Sequence, residues 1–187
     1  MATRNPAAKR RQLLEAALAE FAAHGIAGAR MDRIATRAQC SAGLVYTYFG
    51  SKDDLFDAVF DTIVERTLTE TPITADDLPG YAGRLFDGYA AYPEVPRISA
   101  WYRLERAGTG RTIQAITDSA KGKVDAIRAA QEAGTVSDRF EPEQLLMMVV
   151  SLASMWSAQT VEMIAVAPDD QAYRRATVTE AVRKLIS

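Results

Sequence analysis

Between Ser41 and Lys52 the chain reads SAGLVYTYFGSK, and three consecutive side chains in it, Tyr46, Thr47 and Tyr48, carry hydroxyls able to bond phosphates or base edges. Small Ala42 and Gly43 just before them let a backbone come close to a nucleic-acid surface, and Leu44 offers the apolar contact that a thymine methyl takes. Cations flank the run at Arg4, Arg30, Arg33 and Lys52. This is the chemistry of binding rather than of bond making. A single histidine, His24, rules out His-paired metal sites, and a single cysteine, Cys40, rules out an internal disulfide framework. There is no glycine-rich phosphate loop and no Ser/His/Asp order. The pairs Asp53-Asp54, Asp76-Asp77 and Asp169-Asp170 each fall near an expected helix start, where carboxylates favour the dipole. No catalytic residue, metal site or cofactor is expected, and the chain is not read as an enzyme.

Three short helices must position that run. Asn5 can cap a first helix with Pro6 in its first turn, and Leu13, Leu14, Ala17, Leu18 and Phe21 recur at helical spacing until His24-Gly25. A second helix is predicted over about 31–38, offering Met31, Ile34, Ala35 and Ala38. A third, over 42–49, offers Leu44, Val45, Tyr48 and Phe49. The turn Gln39-Cys40-Ser41 joins the last two, with Ser41 as the cap of the third, and helix-turn-helix units are joined in this way. A fourth helix is predicted over 52–69, capped by Ser51. For Tyr48 and Phe49 the alternative to contact is packing in the small core. Lys9, Arg10 and Arg11 read either as a solvated face or as DNA contacts. Cys40 reads as a small buried side chain, with a thiol switch as the alternative.

The 187 residues are 48% hydrophobic and 25% charged, the balance of a globular chain rather than a disordered or fibrous one. Net charge is −2, but it is unevenly spread: residues 1–52 hold eight Lys and Arg against three acids, a balance of +5, and the remainder carries −7. A basic head on an acidic body directs phosphate contacts to the head. The basic N-terminus precedes no apolar core of a secretory signal, and the longest apolar stretch, Leu145 to Ala167, is interrupted by polar residues. A cytoplasmic protein without a membrane span is expected.

The segment MDRIATRAQCSAGLVYTYFGSKDDLFDAVF, with its Ile-Ala pair, its Ser-x-Gly-x-x-Tyr-x-Tyr-Phe run and the following Ser-Lys, resembles the N-terminal signature of the tetracycline repressor (TetR) family. Two departures stand out. Gln39-Cys40 occupies the turn where the family usually has Gly-Val, which puts Gln39 at a position that often requires a left-handed backbone, and Arg30-Met31 replaces the usual Thr or Ser at the start of the second helix. The resemblance implies an all-α protein: a three-helix helix-turn-helix DNA-binding domain over residues 1–50, then a helical ligand-binding and dimerisation domain over 51–187, about nine helices in total. It makes the third helix the major-groove reader, with Ser41, Ala42, Gly43, Leu44, Tyr46, Thr47 and Tyr48 at the DNA and Lys52 matching the family lysine that holds phosphate. No Arg or Asn lies within that helix, so specificity leans on Arg30, Arg33 and the arm carrying Arg4, or on DNA shape.

Proline and glycine breaks divide the body into predicted helices near 78–92, 96–107, 112–133, 142–166 and 169–186. The helix over 142–166 is apolar on two sides, one more than a single core needs. By resemblance, helices 8 and 9, the last two, pair across a twofold axis as a homodimer that binds a palindromic operator on double-stranded DNA. The resemblance also implies a pocket for a small, largely apolar effector, with Phe86, Tyr89, Tyr92, Trp101, Tyr102, Met147, Met155 and Trp156 as candidate lining and Arg97, Arg103 and Glu105 as groups that orient a polar end. Ordinary core packing is the alternative for most of these. A sequence-specific repressor relieved by its ligand is the expected function. The competing reading is a dimeric helical small-molecule-binding module whose head engages protein rather than DNA.

Overall fold

The computed structural model of the chain describes residues 5–187. Among the described residues are ten α-helices and no strand: α1 (Pro6–Gly28), α2 (Met31–Arg37), α3 (Ala42–Phe49), α4 (Lys52–Glu70), α5 (Leu78–Ala91), α6 (Glu94–Arg106), α7 (Gln114–Glu132), α8 (Pro142–Ser154), α9 (Val161–Ala165) and α10 (Gln171–Ile186). None of them is long and apolar enough to cross a membrane. They form two compact units, one of residues up to Val64 together with Arg97–Ile116, the other of Glu65–Pro96 together with Thr117–Ser187.

In the first unit, α1 starts where Asn5 Oδ1 accepts the N–H groups of Ala7 and Ala8, which have no intrahelical partner. Its predicted stripe turns inward at Leu13, Leu14, Ala17 and Phe21 and meets Met31, Ile34, Ala35 and Ala38 of the α2 region, Val45 of α3, and Leu55, Phe56 and Val59 of α4, all buried. Phe21 sets its edge on the Phe56 ring at 5.1 Å, and Phe56, Phe60 and Tyr102 continue as an aromatic cluster. Buried Arg106 donates to Asp53 and Asp57 at 2.9 and 3.1 Å and lies over the Phe56 ring, so its charge is paired inside the unit. The turn between α2 and α3 is tight: Gln39 stands at φ 51°, the left-handed conformation expected for this position, while Cys40 is half-buried rather than fully enclosed.

The second unit is held by α5, which packs on α8 and α10. Leu78, Tyr81, Leu85 and Phe86 of α5 meet Leu145, Leu146 and Val149 of α8, Val178 and Val182 of α10, and Ile127 of α7. The Tyr81 hydroxyl and the Trp156 indole N–H are buried there without a hydrogen-bond partner. Burial pushes the Tyr81 phenol far above its ordinary value.

One helix differs from the sequence expectation. The single helix predicted over 142–166 ends at Ser154, passes through a 3-10 turn at Met155–Ser157 and resumes as the short α9. The cause is side-chain competition for backbone groups. Ser154 Oγ donates to Ser151 C=O at 3.2 Å, and Thr160 Oγ1 accepts Met163 N–H, capping a new helix start. The tenth helix arises from this break. It also removes the continuous second apolar stripe: Val161, Met163 and Val166 lie on or just past α9 and are exposed.

Candidate nucleic-acid interface

Helix α3 is anchored on one side and open on the other. Ser41 Oγ accepts Leu44 N–H at 3.3 Å, closing the first turn, and Val45 points into the core with no exposure. On the outer side Gly43 is bare: a Cβ built on it would meet nothing within 4 Å. Tyr46 is 49% exposed, and Thr47 is exposed with its hydroxyl donating back to Gly43 C=O at 2.9 Å, which leaves the oxygen free to accept. Ser41 is exposed, whereas Ala42, Leu44 and Tyr48 are half-buried. Tyr48 tilts against Phe49, and the Arg10 guanidinium sits 5.4 Å from the Phe49 ring centre. The seven residues nominated from 41–48 therefore lie on one short helix and its cap, with Gly43, Tyr46 and Thr47 facing outward.

The nominated cations are placed differently. Arg4 lies outside the described residues. Arg30 forks onto Asp32 at 3.0 and 2.8 Å. Arg33 donates Nε–H to Glu20 at 2.6 Å and a second N–H to Gly28 C=O at 2.8 Å. Lys52 donates to the carbonyls of Ala27 and Ala29 at 3.1 and 3.3 Å, so two of its three ammonium protons hold the end of α1 and one remains. Lys9 does the same for α2, through Ala38 C=O. Exposed Arg37, at the end of α2, is a cation that no sequence motif singles out.

Two family models cover most of this architecture: the bacterial regulatory proteins, tetR family, over residues 13–59, and the tetracyclin repressor-like, C-terminal domain over residues 77–184. The chain is 37% identical over 164 residues to the HTH-type transcriptional repressor SCO4008 of Streptomyces coelicolor, covering 87% of this chain and 85% of that protein. The chain belongs to the TetR family. It is therefore an all-helical, DNA-binding transcriptional regulator with an N-terminal helix-turn-helix. The solved structure of the transcriptional regulator SCO4942 from Streptomyces coelicolor superposes with a TM-score of 0.83 at 37% identity, covering 95% of this chain and 97% of that one. AibR, solved in complex with isovaleryl coenzyme A and operator DNA, shares the fold at 15% identity, with a TM-score of 0.71 over 92% of this chain and 97% of its own.

The residues nominated for a TetR-type effector pocket fall in both units. Phe86 is buried in the core of the second, with Tyr89, Met155 and Trp156 packed against it. Tyr92 is exposed beneath the Arg66 guanidinium, 3.9 Å from its ring centre, and Met147 is 70% exposed. Trp101 and Tyr102 belong to the first unit, where Trp101 Nε1–H donates to Ala22 C=O at 3.3 Å and Tyr102 joins the Phe56 and Phe60 rings.

The Glu20 carboxylate ties the TetR head together and gives it an acid-sensitive joint. Burial alone would raise its pKa, but the Arg33 guanidinium and the Arg30 N–H bonded to it outweigh that and hold it below the ordinary 4.5. A carboxyl whose folded value is lowered contributes stability above its unfolded value and loses it as pH falls through the folded one. The urea midpoint of the parent is expected to drop between about pH 5 and pH 3 by more than that of Glu20→Gln. Parallel curves for the two proteins would remove Glu20 from this role.

Proposed function

We propose that the protein is a homodimeric repressor that reads a palindromic operator through α3 and is released from it by a small, largely apolar effector. The observation that carries the reading is the uncovered outer face of α3, where Gly43 meets nothing and Tyr46 and Thr47 present hydroxyls. A helix-turn-helix places the start of its second helix against base edges, and a bare glycine there admits the backbone to the groove. Residues 1–50 form the reading domain and 51–187 the sensing and dimerising body. Ser41, Ala42, Leu44 and Tyr48 complete the contact surface, Lys52 supplies a phosphate contact beyond its bonds within the head, and Arg30 and Arg33 contribute to specificity. Two heads on one twofold axis match half-sites about one helical turn or a small multiple apart.

The predicted helices 8 and 9, the first now divided into α8 and α9 and the second α10, form the dimer surface, with exposed Met147 on α8 and Tyr173 on α10. The effector enters the body near Phe86, Tyr89, Met155 and Trp156. A ligand carrying a hydrogen-bond acceptor suits the buried, unpartnered Tyr81 hydroxyl and Trp156 N–H. AibR, complexed with isovaleryl coenzyme A and operator DNA, supports an acyl-bearing class of effector for this fold. By linkage, an effector that favours a body conformation unsuited to the operator weakens DNA binding by the same factor by which DNA weakens effector binding.

Selection of purified protein against randomised duplex DNA tests this. The parent is expected to enrich an inverted repeat and Tyr46→Ala to enrich it weakly or not at all. A folded, dimeric parent that enriches no sequence would overturn the reading.

A further inference from the structure

Helix α1 is broken at Gly25, where φ is 70° and ψ is −177°, and helix α6 fills the break. In an uninterrupted helix Ile26 N–H would donate to Ala22 C=O and Ala27 N–H to Ala23 C=O. Here Ile26 N–H donates to Glu105 Oε1 at 3.0 Å and Ala27 N–H to Glu105 Oε2 at 2.7 Å. The Ala22 carbonyl accepts instead from Arg97 Nε–H at 3.2 Å and Trp101 Nε1–H at 3.3 Å. Arg97, Trp101 and Glu105 are four residues apart and so share one face of α6. That face offers donors to the carbonyl on one side of the kink and a carboxylate to the two N–H groups on the other.

The detached last turn of α1 is also gripped at its far end. Lys52 of α4 holds the carbonyls of Ala27 and Ala29, and Arg33 of α2 holds that of Gly28. A negative group at the N-terminal end of a turn and positive groups at its C-terminal end is the arrangement a helix dipole favours. The turn is thus a joint where α1, α2, α4 and α6 meet, and the chain leaves it directly into α2. Charge-assisted bonds to the main chain are short and directional, so they fix orientation as well as contact.

We propose that Glu105 is a positioning residue for DNA reading: by holding the detached turn of α1 it fixes the pose of α2 and α3 against α6, and operator discrimination depends on it. The inference rests on the DNA-reading role of α3. It assigns to Arg97, Trp101 and Glu105 a task different from the effector contact that their residue types suggest.

Two readouts test it, with Glu105→Ala and Glu105→Gln compared in each. First, spin labels on Arg37→Cys and Leu104→Cys, in a Cys40→Ser background and with labelled chains diluted into an excess of unlabelled protein, report the distance between α2 and α6 within one protomer in the absence of DNA. The parent is expected to give one narrow distribution, Glu105→Ala a clearly broader one, and Glu105→Gln, which keeps a carbonyl acceptor, a distribution between them. Second, affinity is measured for the duplex that the parent enriches and for a generic duplex of equal length. Glu105→Ala is expected to lose about tenfold on the first and to keep its affinity for the second, because phosphate contacts survive a mobile head. A distribution as narrow as the parent's would overturn the proposal, as would equal losses on both duplexes. The distance measurement needs no operator, so it decides the positioning role even if the selection enriches nothing.

Discussion

Gly25→Ala should lower the unfolding free energy by about 3 kcal/mol, among the largest effects of any single methyl group added to this chain. The backbone at Gly25, φ 70° and ψ −177°, lies in a region that residues with a Cβ essentially never occupy, which alone costs about 1–3 kcal/mol. Space compounds the strain. The new carbon would stand 2.2 Å from Glu105 Oε1 and 2.9 Å from Trp101 Cε3. The carboxylate cannot yield without releasing the Ile26 and Ala27 N–H groups, and the Ile26 donor, on a buried residue, adds about 1–3 kcal/mol if left unpaired. Urea unfolding of parent and variant measures the difference. A variant with the parent's midpoint would show that the kink is not held as described.

Gly43→Leu should do the reverse: leave the free protein intact and abolish much of its DNA binding. A Cβ at this position meets open space, and an exposed helical position gains up to about 1 kcal/mol when glycine is replaced by a helix former. Thermal stability should therefore hold or rise slightly. Against DNA the same outward space is the space that base edges must occupy, and four added carbons at the start of α3 displace the helix from the groove. A loss of about 30- to 100-fold is expected, equivalent to about 2–3 kcal/mol. Titration of the enriched duplex measures it, and parent-like affinity would mean that α3 does not enter the groove by this face.

The reading head was legible in the sequence because its signals are local. Asn5 and Ser41 cap the helices expected of them, α3 has the predicted bounds, and Gln39 takes the left-handed turn implied by its place in the motif. What is not legible there is long-range. Glu105 meets Ile26 and Ala27 across 79 and 78 residues, and nothing in either segment announces the other. For the same reason Trp101 reads as pocket lining until its indole is seen on Ala22 C=O, and Lys52 reads as a free cation until Ala27 and Ala29 are seen to hold it. The break after Ser154 is not legible in the sequence because an apolar 3.6-residue period continues through Met163 while serine and threonine hydroxyls, which carry no weight in that period, redirect the backbone.

Amide hydrogen exchange of the parent, with and without the enriched duplex, reports whether α3 lies against DNA. Slowed exchange is expected across residues 41–49, strongest in the Ser41-capped first turn of α3, with no comparable change in α7. Slowing that spares 41–49 and concentrates in the second unit would contradict it.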